Sequence, residues 1–178
     1  MRHDDWLATV PEEIKSDSLW GLEVYQLGLF VGDIAWQDAS ALAKVPLTRD
    51  LADQLYRAVC SISANIAEGY SRSTGKDRAR FLEYALGSAR EARDWYHKSR
   101  HTLRHEVVQH RIGILTQIIK ILNVLTPAQR RKGIREQPTP YNTAPRSSAI
   151  DIESEIPQPY ISHPLSTFHF LLFTFHQL

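Results

Sequence analysis

The residues best suited to chemistry in this chain are basic. Arg93, His97, Arg100, His101 and Arg104 recur at spacings that one continuous helix would gather within about 100° of a single face, with Arg90 beside them. A ridge of this kind suits phosphate, because Lys and Arg supply sequence-independent affinity for a polyanion. Arg adds bidentate pairing with phosphate oxygens. Arg72, Lys76, Arg78 and Arg80 extend the charge toward the other end of the same predicted helix, and Arg130, Arg131 and Lys132 follow the next one. The competing reading is a solvated face paired with acidic helices elsewhere in the chain. The sequence leaves both open.

Other chemistries find less support. His97, His101 and His105 stand at i, i+4 and i+8, a spacing that suits a two-histidine metal clamp. No HExxH pattern accompanies them, and the neighbouring arginines repel a dication. The better reading is solvent-facing histidines that gain charge in acid, with no metal and no cofactor. In SISANIAEG, Asn65 and Glu68 invite a catalytic reading, yet no paired acid, base or nucleophile stands near them. Asn65 is expected to hydrogen-bond a neighbouring helix or another subunit, and Glu68 to do the same, pairing with Arg72 four residues on or with an arginine of a partner. Cys60 reads as a small core residue. No phosphate loop, nucleophile elbow or dinucleotide fingerprint appears, so no catalytic residue is assigned and the chain is not expected to be an enzyme.

Total charge hides this pattern. The 178 residues carry 21 Lys+Arg against 20 Asp+Glu, a net of +1. Residues 1–69 hold 5 Lys/Arg and 11 Asp/Glu, a net of −6, whereas residues 70–135 hold 15 and 5, a net of +10. Residues 136–178 carry a net of −3. A basic surface can therefore exist on a neutral molecule. The single cysteine excludes a disulfide scaffold and a Cys-rich zinc module. The N-terminus MRHDDWLATVPEE does not resemble a secretory signal, and no run approaches the roughly 20 apolar residues of a membrane span. The expectation is a cytoplasmic protein with no membrane partner.

The elements that must position the basic residues are helices. Between Leu19 and Leu125 there is one proline, Pro46, and apolar residues recur at helical spacing without strand-like alternation. A first helix is predicted from about Ser18 to Ala43, capped by Ser18 or Asp17. Leu22, Tyr25, Leu29 and Trp36 lie close to one face of it, and Leu27, Phe30, Val31 and Ile34 widen that face. Thr48 is placed to cap the second helix, whose Leu51, Leu55, Val59, Ile62 and Ile66 form one stripe. Gly69 stands where a left-handed residue would close it. The short polar turn SRSTGKD suits antiparallel neighbours.

A third helix is predicted from Lys76 or Asp77 to about Leu103, burying Phe81, Leu82, Ala85, Leu86, Ala89, Ala92 and Tyr96. A fourth runs from about Glu106 to Leu125, with Pro127 just beyond its end. Its apolar residues cover about half the circumference, wider than the roughly 100° stripe of an ordinary surface helix, which points to self-association. After residue 137 prolines crowd the chain, and it closes on the apolar run FHFLLFTFHQL. That end could dock in a groove, lie on a partner, or be an aggregation-prone terminus.

Three segments match a known pattern: LEVYQL (22–27), YRAVCSISANIAEGYSR (56–72) and RFLEYALGSAREARDW (80–95). Together they resemble the 23S rRNA intervening-sequence protein family, over about residues 19–126. SISANIAEGYSR is the most specific piece, and the resemblance marks Ser63, Asn65, Glu68 and Gly69 as its structural motif. The family usually has proline where Ser63 stands, and a Gly-Leu-Thr-like opening where Arg49-Asp50-Leu51 stands. The segment EARDWYHKSRHTLRH is more basic than in a typical member. The resemblance implies a left-handed four-helix bundle that assembles into a ring-shaped homopentamer without enzymatic activity. It also implies similarity in fold to accessory proteins of diversity-generating retroelements, which bind a reverse transcriptase and its RNA.

The expected architecture is all-α: an antiparallel four-helix bundle, up-down-up-down and left-handed, with an irregular Pro-rich C-terminal tail. Residues 1–17 form an N-terminal extension, 18–133 the bundle and 134–178 the tail. The expected function is non-enzymatic binding of structured RNA or DNA phosphates by a homo-oligomer through its basic rim. The alternative is an adaptor for a protein partner, such as a reverse transcriptase or a ribosome-associated factor, with no direct nucleic-acid contact.

Overall fold

Wherever apolar residues repeat at helical spacing, the chain is helical. In the computed structural model, residues 3–131 are described, and they contain helices and turns but no strand. Two short helices, α1 (His3–Leu7) and α2 (Glu12–Lys15), precede four long ones: α3 (Glu23–Ala43), α4 (Arg49–Tyr70), α5 (Gly75–Lys98) and α6 (His105–Arg131). Helix α3 packs on α4, α4 on α5, α5 on α6, and α6 returns to α3. The compact unit that contains them runs from Met1 to Pro138. The Pro-rich tail over 134–178 and Lys132 lie outside the described residues.

The N-terminal segment takes part in the core. Trp6 on α1 is buried, donates its indole N–H to Asp33 on α3, and packs against Phe30 and Trp20. Val10 joins the same cluster.

Helix α3 begins later than its periodicity predicts. Ser18–Gly21 form a 3-10 turn whose N-cap, Asp17, accepts from the Leu19 amide at 2.8 Å. Leu22 is extended, at φ −91° and ψ 108°, so the α-helix starts at Glu23. The buried face also differs. Val24, Leu27, Phe30, Val31, Ile34, Ala35, Ala39 and Leu42 fill the core, while Leu22, Tyr25 and Leu29 are half-buried and Trp36 is 61% exposed. Helix α3 is apolar on most of its circumference, so two adjacent faces compete. The face that wins carries Gly28, where an added Cβ would lie 3.2 Å from Ser63 Cβ on α4.

Helix α4 buries Leu55, Val59, Ile62 and Ile66 as its spacing predicts. Each fully buried aliphatic side chain of this size contributes roughly 1.5–3 kcal/mol. Thr48 does not cap α4; its hydroxyl donates to the Leu42 carbonyl at 2.7 Å, which also accepts from the Val45 amide at 3.1 Å at the end of α3. Gly69 is not a left-handed cap either. The helix runs through it to Tyr70, and no described residue has positive φ. Its role is close approach, because a Cβ there would meet Phe81 Cβ on α5 at 2.9 Å.

Thr74 caps α5 by accepting from the Asp77 amide at 3.1 Å, and its hydroxyl donates to the Asp77 carboxylate at 2.7 Å. Leu82, Ala85, Ala89, Ala92 and Tyr96 are buried, with Phe81 and Leu86 half-buried. The α-helix ends at Lys98, not at Leu103. Ser99, buried, donates to the Trp95 carbonyl at 2.8 Å, and Ser99–His101 tighten into a 3-10 turn.

Helix α6 continues past Pro127 instead of stopping before it. Proline removes the amide that would bond the Asn123 carbonyl. Asn123, Val124 and Pro127 all face solvent, so water can satisfy that oxygen. On the other side Thr126 is buried and Arg130 pairs with Glu83 of α5, which holds the last turns in place. The wide apolar arc of α6 serves contacts to both α5 and α3. By length and composition alone α6 is apolar enough to cross a bilayer, contrary to the sequence expectation, a property that core helices share.

Candidate nucleic-acid interface

The basic ridge does not survive as one helical face. Arg90, Arg93 and His97 stand at i, i+3 and i+7 on α5 and do share a side. Arg100 and His101 fall in the 3-10 turn and Arg104 precedes α6, so the helical phase that would align them is broken after Lys98. Arg100 folds back to donate to the His97 carbonyl at 2.9 Å. The same break separates His97, His101 and His105, and no group of three metal-ligating side chains occurs among the described residues.

What the fold builds is a cleft of about 380 Å³ between α5 and α6, lined by Arg90, Arg93, Asp94, His97, Ile112 and Thr116. The α5 residues supply the charge, and Ile112 and Thr116 supply a half-buried floor from α6. Asp94, the one acid in it, is engaged by Lys98 at 2.6 Å. The cleft therefore presents two guanidinium groups and an imidazole beside an already neutralised carboxylate. A phosphate-sized anion fits this chemistry.

The remaining predicted cations divide by partner. Arg72 pairs with Glu68 as the spacing predicts, and its guanidinium lies 4.6 Å from the centre of the Phe81 ring. Arg78 donates to the Arg72 carbonyl at 2.7 Å. Arg130 pairs with Glu83. Lys76, exposed, lines a second cleft of about 460 Å³ with Asp77, Arg80, Glu83 and Arg130. Arg131 is exposed at the end of α6. Asn65 does not reach a neighbouring helix; its amide donates to the Ser61 carbonyl at 2.7 Å and to the Ser61 hydroxyl at 3.0 Å, one turn back in α4. Ser63 sits at the close approach to Gly28. Cys60 is half-buried at the edge of the core.

Sequence reasoning missed one polar network. Asp38 on α3, 6% exposed, accepts from the Tyr96 hydroxyl on α5 at 3.0 Å and from Arg111 Nε on α6 at 2.8 Å. Three helices meet on one carboxylate. Burial, reinforced by that carboxylate, pushes the Tyr96 hydroxyl far above the ordinary phenol range. Partial desolvation and then the adjacent Arg111 charge lower the His110 imidazole. A signal existed in the pattern Ile34, Ala35, Asp38, Ala39, Leu42, a charge standing among core residues.

The described residues thus define an all-helical bundle protein with a basic cleft on its α5–α6 side. The model of the family described as 23S rRNA-intervening sequence protein matches residues 22–137, and the chain belongs to that family. No curated protein matches the chain. Among solved structures, it is similar to a protein of unknown function from the S23 ribosomal protein family of Bacteroides thetaiotaomicron VPI-5482. The two share 23% identity with a TM-score of 0.55, over 58% of this chain and 97% of that one, a likeness of fold.

Proposed function

We propose that this chain is a non-enzymatic, cytoplasmic protein that binds RNA or DNA phosphates through its α5–α6 side. Its four long helices form an antiparallel, left-handed bundle with up-down-up-down order, and copies of it assemble into a homo-oligomer, by family resemblance a pentamer. The observation that carries this reading is the gathering of Arg90, Arg93 and His97 on one cleft. Arg100 and Arg104 follow it in the adjoining turn, beyond the end of α5. Binding would proceed by release of condensed counterions, with affinity independent of sequence. Repetition around an oligomer multiplies the contacts. The opposite charge of residues 1–69 and 70–135 favours head-to-tail contact between copies.

The test is a mobility shift with a labelled structured RNA and the triple variant Arg93→Glu, Arg100→Glu, Arg104→Glu, checked for retained helicity. Loss of the shifted band supports the reading; unchanged affinity sinks it.

A second reading is favoured by exposed apolar side chains: Leu47 at 94%, Val124 at 71%, and Trp36, which meets Tyr56 edge-on at 5.5 Å. On that reading the chain is an adaptor for a protein such as a reverse transcriptase. A partner retained in pull-down after nuclease treatment, and lost with Trp36→Ala, would favour it over direct nucleic-acid binding.

A further inference from the structure

The end of the molecule around the start of α5 carries a cluster of a different kind. Arg80 lies 5.7 Å from the centre of the Phe81 ring and 6.0 Å from that of Tyr84. The two rings meet edge-to-face at 5.7 Å. Arg72 approaches Phe81 from the end of α4. Phe81 is half-buried and anchors the group, whereas Tyr84 leaves 50% of its surface in solvent. Among the described residues none hydrogen-bonds the Tyr84 hydroxyl; its backbone carbonyl accepts from the Ser88 hydroxyl at 3.0 Å. Arg80 also borders the 460 Å³ cleft with Lys76, and neither cation forms a described ion pair. Arg72 and Arg130, by contrast, are neutralised by Glu68 and Glu83.

An exposed aromatic ring beside unpaired cations and an open cleft is the arrangement that unpaired nucleic acid uses. A base stacks on the ring or on a guanidinium plane, and the next phosphate meets the cation. Duplex bases are not available for this, since both faces of each are already stacked.

We infer that Tyr84 and Arg80 form a stacking platform for an unpaired nucleotide, with Lys76 receiving the neighbouring phosphate. This rests on the nucleic-acid reading above and narrows its ligand to one with single-stranded segments. The platform is separate from the Arg90–Arg93–His97 cleft, which contacts phosphate whether or not the strand is paired. A loop closed by a helix would engage both.

The experiment measures fluorescence anisotropy of three labelled probes on the full chain: a 20-nucleotide oligo-uridine, an oligo-thymidine of equal length, and a duplex of equal length. Tyr84→Ala is expected to weaken both single-stranded probes about tenfold or more, the scale of one lost base stack. Duplex affinity is expected to stay unchanged. Tyr84→Phe keeps the ring and retains single-strand affinity, which separates stacking from loss of the hydroxyl. Arg80→Lys keeps the charge but loses the planar group, and is expected to weaken single strands alone. Equal oligo-uridine and oligo-thymidine losses assign the effect to stacking on any base; a loss confined to one assigns it to that sugar or base, within the same platform. Unchanged single-strand affinity in Tyr84→Ala, with duplex binding intact, overturns the platform and leaves the phosphate reading standing. Absence of binding to all three probes by the unaltered protein overturns both.

Discussion

The Tyr96 hydroxyl donates to the Asp38 carboxylate across 3.0 Å in the interior, 58 residues apart in the chain. Arg111 closes the same carboxylate from a third helix. Burying such a charge is costly unless every partner is present, so the triad specifies how α3, α5 and α6 register more than it adds net stability.

Removing one member should therefore cost more than replacing the charge pair. Asp38→Ala leaves Arg111 nearly buried without its partner and is expected to destabilise by about 3–5 kcal/mol. Thermal unfolding followed by circular dichroism should show the midpoint falling by about 10 °C or more. The triple variant Asp38→Leu, Tyr96→Phe, Arg111→Met, which leaves no buried polar group unpaired, should recover most of that loss. A single-variant loss below about 1 kcal/mol would contradict the role given to the triad.

The same network gives stability an alkaline limb. In the unfolded chain Tyr96 titrates near the ordinary value of 10.0, and in the folded chain well above it. Its contribution is therefore complete below pH 10 and declines above it, as the unfolded state releases a proton that the folded state keeps. The slope approaches about 1.4 kcal/mol per pH unit for one proton. Urea titrations between pH 8 and 11 should show Tyr96→Phe with a flatter alkaline decline. His110 acts at the other end. Its folded pKa lies below 6.5, so its contribution is present above that value and is lost as pH falls through the folded one. His110→Gln should reduce the loss of stability in acid, and an NMR titration should place the His110 midpoint below 6.5.

Glycine substitutions should separate by space. At Gly69 an added Cβ meets Phe81 Cβ at 2.9 Å, so Gly69→Ala is expected to destabilise by about 1–3 kcal/mol despite the helix propensity of alanine. Gly87 and Gly113 meet nothing within 4 Å, and alanine there should stabilise by about 0.5–1 kcal/mol. Equal effects at all three positions would refute the close approach of α4 to α5.

The contrast between α4 and α3 shows what periodicity alone could reveal. On α4 the stripe Leu55, Val59, Ile62, Ile66 has polar residues on the opposite side, so one face is defined and it is the buried one. On α3 apolar residues nearly encircle the helix, and Trp36 faces outward because the choice is made by Gly28 against Ser63 on another helix. Helix ends were legible only where the signal was local. Asp17 is a local cap, whereas the last turns of α6, beyond Pro127, are tied by Arg130 to Glu83, 47 residues away in the chain. The candidate site suffered most from this. The alignment of five basic residues requires a helix running five residues further than it does. The Asp38–Tyr96–Arg111 triad joins positions far apart in the chain, beyond the reach of any window.

Salt dependence of binding tests the central claim most directly. Each phosphate contact contributes a slope of about −0.7 to −0.9 in log affinity against log salt. The slope for a structured RNA should be steep for the unaltered protein, and should shrink by about 2–3 in the Arg93→Glu, Arg100→Glu, Arg104→Glu variant. A slope near zero, or a steep slope that the three substitutions leave unchanged, would contradict phosphate binding at the α5–α6 side.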